Sequence, residues 1–159
     1  LVKEGVECQS SLADIGRVDV ITLFHVLEHL EDPLAYLAEF KKHLKPDGYI
    51  LIEVPNADDA LLSLYQNTNF ADFTYWSCHL YLYTLTTLRQ LAQKAGFKLG
   101  FMKQIQRYSL ANHLYWLSKG KPGWHYTWSF MEDRELDQRY GEMLANLGIA
   151  DTIVAKLIV

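Results

Sequence analysis

The chain has 159 residues, 50% apolar, 13% aromatic and 21% charged, the length and composition of one globular domain with a sizeable core. With 15 Lys and Arg against 19 Asp and Glu, its net charge of −4 gives no general electrostatic drive toward nucleic acid or an anionic membrane. No apolar run approaches the roughly 18 to 20 residues of a membrane-spanning helix, and Leu1 to Ser10 has no basic-then-apolar signal pattern, so a soluble, cytoplasmic protein is expected. Two cysteines, Cys8 and Cys78, are too few for a disulfide scaffold or a zinc site of their own, and Cys78 reads as a small core residue. The first residue is Leu rather than Met, which fits a trimmed or partial chain.

Val18 to Phe24 is β-branched and apolar with little alternation, which predicts a strand buried on both faces. Asp32-Pro33 is a helix start, because Asp can cap free amides and Pro suits the first helical position. Leu34, Leu37, Phe40 and Leu44 keep roughly helical spacing until Lys45-Pro46-Asp47-Gly48 stops the helix. Tyr49 to Val54 is a second strand, closed by Pro55-Asn56. A strand, helix, strand unit of this size predicts a right-handed crossover and parallel pairing, and the class is α/β.

From Asn56 to Trp76 the pattern loosens into a surface excursion with a short helix over Asp58 to Tyr65. Thr84 caps a cleaner helix carrying Leu88, Leu91, Ala92 and Ala95, and Gly96 suits its C-terminal stop. Phe97 to Arg107 follows as a strand. Seven aromatics between Tyr108 and Phe130 surround a Lys119 to Gly123 turn and form either a lid that stacks on or closes over a sugar or planar acceptor, or a packing surface against the sheet or a second copy of the chain in a homodimer, packing being favoured. A helix over Glu132 to Leu147, Gly148 and a last strand over Asp151 to Val159 complete the chain.

The densest chemical cluster is His25-Val-Leu-Glu28-His29, directly after the first strand. On a helix, positions i, i+3 and i+4 share a face, so the three side chains could converge on a divalent metal. The letters also match the H-x-x-E-H pattern of a class of zinc peptidases, which would make the chain a metal-dependent hydrolase. Only one helical turn fits between Phe24 and Asp32, which argues against that reading. Location favours function, because open α/β sheets bind ligands beyond the carboxyl ends of their strands.

Val18 to Pro33 followed by Leu44 to Asn56 resembles the second half of a class I S-adenosylmethionine-dependent methyltransferase, and His79 to Leu88 with Ala95-Gly96-Phe97 resembles the family's next segment. Gln106 to Gly123 is similar to a subset associated with surface sugars or small metabolites. The resemblance implies a Rossmann-like sheet, mostly parallel with a final antiparallel hairpin strand, and a cytoplasmic transferase using S-adenosylmethionine on a small-molecule or sugar-type acceptor. The family's glycine-rich cofactor loop and its ribose-binding acidic residue have no counterpart here, so the resemblance implies that the N-terminal strands are missing. Residues 1–159 then form one partial domain, with 108–147 as an aromatic lid or insert and the helix before the last strand.

By position the resemblance places Ser10, Ser11 and Leu12 beside adenine, and Phe24 and His25 beside the methionine moiety. Glu28 and His29 resemble an acidic-His pair that in some relatives binds a metal or assists the acceptor. His25 and His79 are the candidate polar groups near the transferred methyl, His79 as general base and Glu28 orienting His25 or a metal. His43, His113 and His125 receive no role. A rival reading is a catalytically inactive α/β domain that acts by association. In it, the Val18 to Phe24 strand exposes an unpaired edge, which either pairs with a second copy or is covered by the chain's own N-terminal residues.

Overall fold

The computed structural model describes residues 5, 7–9, 11–75 and 78–159. Strands β1 (Val18–Phe24), β2 (Leu44–Pro55), β3 (Lys98–Ile105) and β4 (Thr152–Ile158) form one sheet in the order β1-β2-β4-β3. The helices are α1 (Pro33–Lys42), α2 (Ala60–Ser63), α3 (Thr68–Thr74), α4 (Leu85–Lys94), α5 (Leu110–Lys119), α6 (Trp124–Thr127) and α7 (Arg134–Leu147). β1 and β2 are parallel across the α1 crossover, while β4 runs antiparallel to both β2 and β3. Three strands therefore point one way and the last runs against them, as the α/β reading requires.

Local chemistry accounts for the helix boundaries. Asp32 Oδ1 accepts from Ala35 N at 2.9 Å ahead of Pro33, and Thr84 with Thr87 forms a reciprocal capping box at the start of α4. Apolar residues of α1 and α4 (Leu37, Phe40, Leu88 and Ala92) bury against Leu23, Ile50, Ile52, Val54, Ile153, Ala155 and Leu157 of the sheet. This apolar layer is the main core.

β1 is not buried on both faces. Ile21 and Leu23 face α1 and α4, while the alternate positions Val20, Thr22 and Phe24 are exposed, so side-chain alternation gives this strand one wet face. Leu44 belongs to β2 rather than to the helical stripe, and Lys45 to Gly48 interrupts the pairing register instead of forming a separate loop. A Cβ at Gly48 would lie 3.0 Å from the carbonyl oxygen of Lys45 and 3.1 Å from that of Asp19, so this bend needs glycine.

Residues 56–75 are more ordered than a surface excursion. Asp59 caps α2, and Asn67 caps α3 by accepting from Phe70 N at 3.0 Å; Trp76 lies outside the described residues. The aromatic segment likewise contains α5, started by Ser109 and stopped by Gly120 in the left-handed conformation (φ 62°). Its Trp116 is buried against Phe70 and Phe73 of α3, whereas Tyr126 and Phe130 are exposed. α7 begins at the Asp133 cap, ends at Gly148, and packs Gly141 against Gln106.

Candidate active-site cleft

The carboxyl ends of β1, β2 and β3 meet the start of β4 at one end of the sheet, and residues of α3, α5 and α6 stand over them. Between them lies a cleft of about 470 Å³, within the range of small-molecule sites. Phe70, Phe73, Trp116 and Trp124 give it aromatic walls; Asn56, Asp59, Thr74, Asn112, Asp151 and Thr152 are buried polar groups lining it; His25, His79, Arg107 and His125 also line it.

The polar groups are fixed by the turns that end the strands. Asn56 Nδ2 donates to the Ala150 carbonyl at 2.7 Å, tying the end of β2 to the start of β4. Asp59 Oδ1 accepts from Leu61 N at 2.6 Å. Burial pushes the Asp59 carboxyl up to about 7, against the lowering effect of that hydrogen bond, and Asp151 pushes in the same direction as burial. Asp151 accepts from Arg107 N, Tyr108 N and Thr152 Oγ1, and burial raises its carboxyl despite these bonds and the Arg107 charge.

His25 ends β1 in a left-handed conformation (φ 52°), rare outside glycine but more tolerated by His. Its Nδ1 lies 3.2 Å from Glu28 Oε1, its Nε2 lies 3.2 Å from Glu53 Oε1, and Arg107 Nη1 contacts Nε2 while pairing with Glu53 at 3.0 Å. With a proton on Nδ1, His25 donates to Glu28 while Nε2 accepts from Arg107, which also donates to the Glu53 carboxylate, so that Nε2 and Glu53 Oε1 are two acceptors bridged by the guanidinium rather than bonded to each other. His25 is thus held from both sides.

Glu28 is fully buried, and its Oε2 has no hydrogen-bond partner among the described residues. His29 Nδ1 donates to the Cys78 carbonyl at 2.5 Å, leaving Nε2 3.8 Å from Glu28 Oε1. His79 Nδ1 donates to the Thr74 carbonyl at 2.8 Å. The 78–81 segment is stitched to this turn by Leu80 N and Tyr81 N, which both donate to the Glu28 carbonyl.

The structure brings His25 and His79 into the cleft and sets Glu28 and His29 behind them. Phe24 is half-exposed at the end of β1, Ser11 is exposed, and Leu12 packs partly buried against the main core. Ser10 lies outside the described residues. Two expectations fail. His25, Glu28 and His29 do not converge as on a helix, because only Leu27–His29 forms a 3-10 turn and His25 turns toward Glu53; this removes the peptidase-like arrangement. Cys78 is exposed rather than in the core, its carbonyl serving His29. His125 lines the cleft, while His43 bonds the Ile15 carbonyl and His113 is buried against Tyr140.

Trp116 belongs to the aromatic segment singled out in the sequence, whereas Asp59, Asp151 and Arg107 were given no role there. Asp59 carried a usable signal, an Asp before an apolar helix start, but one that reads as a cap; Asp151 and Arg107 are adjacent only through the antiparallel pairing of β3 and β4.

The Methyltransferase domain family model matches residues 2–99, and the chain belongs to that family. Among solved structures it is similar to a SAM-dependent methyltransferase from Thermotoga maritima, described as a possible histamine N-methyltransferase (19% identity, TM-score 0.54, covering 91% of this chain and 58% of that one). It is also similar to a SAM-dependent methyltransferase from Archaeoglobus fulgidus (18%, 0.52, 91% and 61%) and to a mycolic acid cyclopropane synthase complexed with SAH and CTAB (15%, 0.51, 91% and 56%). The chain thus spans little more than half the length of these structures, which share its Rossmann-like fold. No curated protein sequence matches it. No helix among the described residues is long and apolar enough to cross a membrane.

Proposed function

We propose that this chain supplies the acceptor cleft of an S-adenosylmethionine-dependent methyltransferase acting on a small-molecule or sugar-type acceptor. The observation that carries this reading is the cleft at the strand carboxyl ends, with aromatic walls that suit the apolar face of a ring and buried polar groups that suit its hydroxyls. The residues present fit one flank of the cofactor: half-exposed Phe24 offers an apolar surface at the end of β1, beside His25. Ser11, Leu12, Phe24 and His25 would line that flank. Gly96, Gly120 and Gly148, which have positive φ, follow helix ends and provide no close backbone approach for a ligand there.

When bound, S-adenosylmethionine supplies a methyl group on a positively charged sulfur. The chain's own residues position the acceptor and exclude water: Trp116 and the α3 aromatics hold its ring, while His79 and Arg107 meet its polar edge. Asp59, titrating near neutrality, takes the proton from the attacking hydroxyl as the oxygen bonds to the methyl carbon. His25, clamped by Glu28 and Arg107, is a positioning residue between the two flanks.

Calorimetric titration of the chain with S-adenosylmethionine and its demethylated product tests this. Saturable binding, weakened about tenfold by Phe24→Ala, is expected; no heat at millimolar ligand would overturn the reading for this chain. A second reading, action through association, is supported by the outer edge of β1, which pairs with no strand among the described residues.

A further inference from the structure

We propose that Asn112, together with Thr74 and the second carboxyl oxygen of Asp59, reads adjacent hydroxyls of a sugar ring held in the cleft, and that Asn112 is thereby the residue that selects the acceptor. The inference deepens the acceptor-cleft reading and rests on it for the reaction, though not for the binding. Asn112 is only 5% exposed, and it lines the cleft. Its backbone N–H donates to Ser109 Oγ at 3.3 Å, but its side-chain amide has no hydrogen-bond partner among the described residues.

A buried amide without a partner is rare, because its donor and its acceptor both lose hydration uncompensated. Two further groups around the same cleft share this state. The hydroxyl of buried Thr74 has no partner among the described residues, and Asp59 accepts from Leu61 N with Oδ1 at 2.6 Å while Oδ2 makes no hydrogen bond among them. The other buried polar groups of the cleft are satisfied internally: Asn56 donates to the Ala150 carbonyl and accepts from Asp58 N, and Thr152 donates to Asp151. The groups left for a ligand are therefore Asn112, Thr74 and one side of Asp59.

Helical spacing puts the amide beside an aromatic surface. Asn112 and Trp116 lie four residues apart on α5 and share a face, both buried and both lining the cleft. Asn67 Nδ2 donates to the Trp116 carbonyl at 3.0 Å, so α3, which ends at Thr74, is tied to α5. Phe70 and Phe73 of α3 pack on Trp116 with ring centroids 5.0 and 5.2 Å away. A ring against this wall lies in the same cleft as all three unpartnered polar groups.

The chemistry of these groups selects a neutral, polyhydroxylated ring. A carboxamide both donates and accepts, so it serves two adjacent hydroxyls at once, one donating to Oδ1 and the other accepting from Nδ2, while Thr74 and Asp59 serve further hydroxyls. Aromatic side chains cover the apolar face of such a ring. An anionic acceptor suits the site less, because Arg107 already pairs with Glu53 at 3.0 Å. An ammonium group suits it less too, because Asp151 is taken up by Arg107 N, Tyr108 N and Thr152 Oγ1.

The test uses the full chain, with the methyl glycosides of glucose, galactose, mannose and rhamnose as probes and phenethylamine as a ring without hydroxyls. The readout is the side-chain amide NMR signals of Asn112. At least one glycoside at about 50 mM should shift them saturably. Its affinity should fall at least about tenfold in Asn112→Leu, which keeps the branching without polar atoms, and in Asn112→Asp, which keeps the acceptors without the donor. Because the amide has no internal partner, Asn112→Leu should also melt no earlier than the unsubstituted chain. Earlier melting of that variant, with glycoside affinity unchanged in Asn112→Asp, would mark a structural amide and overturn the proposal. A panel in which no glycoside moves the Asn112 signals of the unsubstituted chain, or in which phenethylamine alone does, would overturn it without recourse to any variant. None of these readouts involves S-adenosylmethionine, so failure here leaves the cofactor titration to decide the methyl-transfer reading separately.

Discussion

Asp59 is the residue whose chemistry depends most on its surroundings. A folded-state value near 7, raised from 3.8 by burial, means that the unfolded chain ionises first. The stability this group contributes is full below about pH 4 and is lost as pH rises through about 7, on the order of 4 kcal/mol in all. Asp59→Asn keeps a competent helix cap and should flatten that slope in denaturant titrations taken from pH 4 to 8. In a methyl-transfer assay the same variant should lower the rate about 10²- to 10⁴-fold and abolish a rising pH limb centred near 7; an unchanged pH profile would remove Asp59 as the base. His113 acts in the opposite sense. Burial lowers its value from 6.5 to about 4, so its contribution is present above pH 6.5 and lost as pH falls through about 4. His113→Gln should reduce the loss of stability on acidification over that window, read as a smaller shift of the denaturation midpoint.

At the scale of elements, α7 and the end of β3 approach as closely as their backbones allow. A Cβ at Gly141 would lie 2.9 Å from Gln106 Cβ, a contact that no distal rotation relieves. Gln106 in turn holds His113 and donates to the Tyr108 carbonyl, so displacing it loosens the start of α5 and the cleft wall that α5 carries. Gly141→Ala should therefore destabilise the chain by about 1–3 kcal/mol even though alanine is the better helix former; a stabilised variant in thermal or denaturant melts would mean that α7 can slide freely on β3. The same logic explains why α5 is an element rather than a loop: Ser109 and Gly120 bound ten residues whose buried side chains, Trp116 foremost, complete the aromatic wall begun by α3.

At the scale of the whole molecule, the sheet ends among the described residues in an edge strand, β1. Val20, Phe24 and Phe101 leave apolar surface exposed on one face of the sheet. Such an edge is a template for pairing with another chain. Light scattering should show concentration-dependent association, with protection of the Val18 to Phe24 amides in hydrogen exchange, and Thr22→Lys should suppress both. A monomer at all concentrations, with those amides exchanging freely, would exclude this edge as an interface.

Much of the framework was legible because it is written in local chemistry. The caps at Asp32 and Thr84, the stops at Gly96 and Gly148, and the apolar runs of β1 and β2 each act over a few residues, and they place the α/β crossover and the strand end that carries His25. Short helices inside polar or aromatic stretches, α3 and α5, were obscured because aromatic content says nothing about which rings will find a partner. The sequence by itself determined the class of fold, the family resemblance and the chemical types gathered near the first strand. Only the tertiary structure decided which of them meet: His25 was drawn away from His29 by Glu53 and Arg107, and His79 was carried to Glu28 by hydrogen bonds to its carbonyl. It also decided that Asp59 and Asp151 would lie side by side out of water. Those outcomes depend on contacts between residues far apart in the chain, where burial and hydrogen-bond satisfaction, rather than local propensity, set the energies.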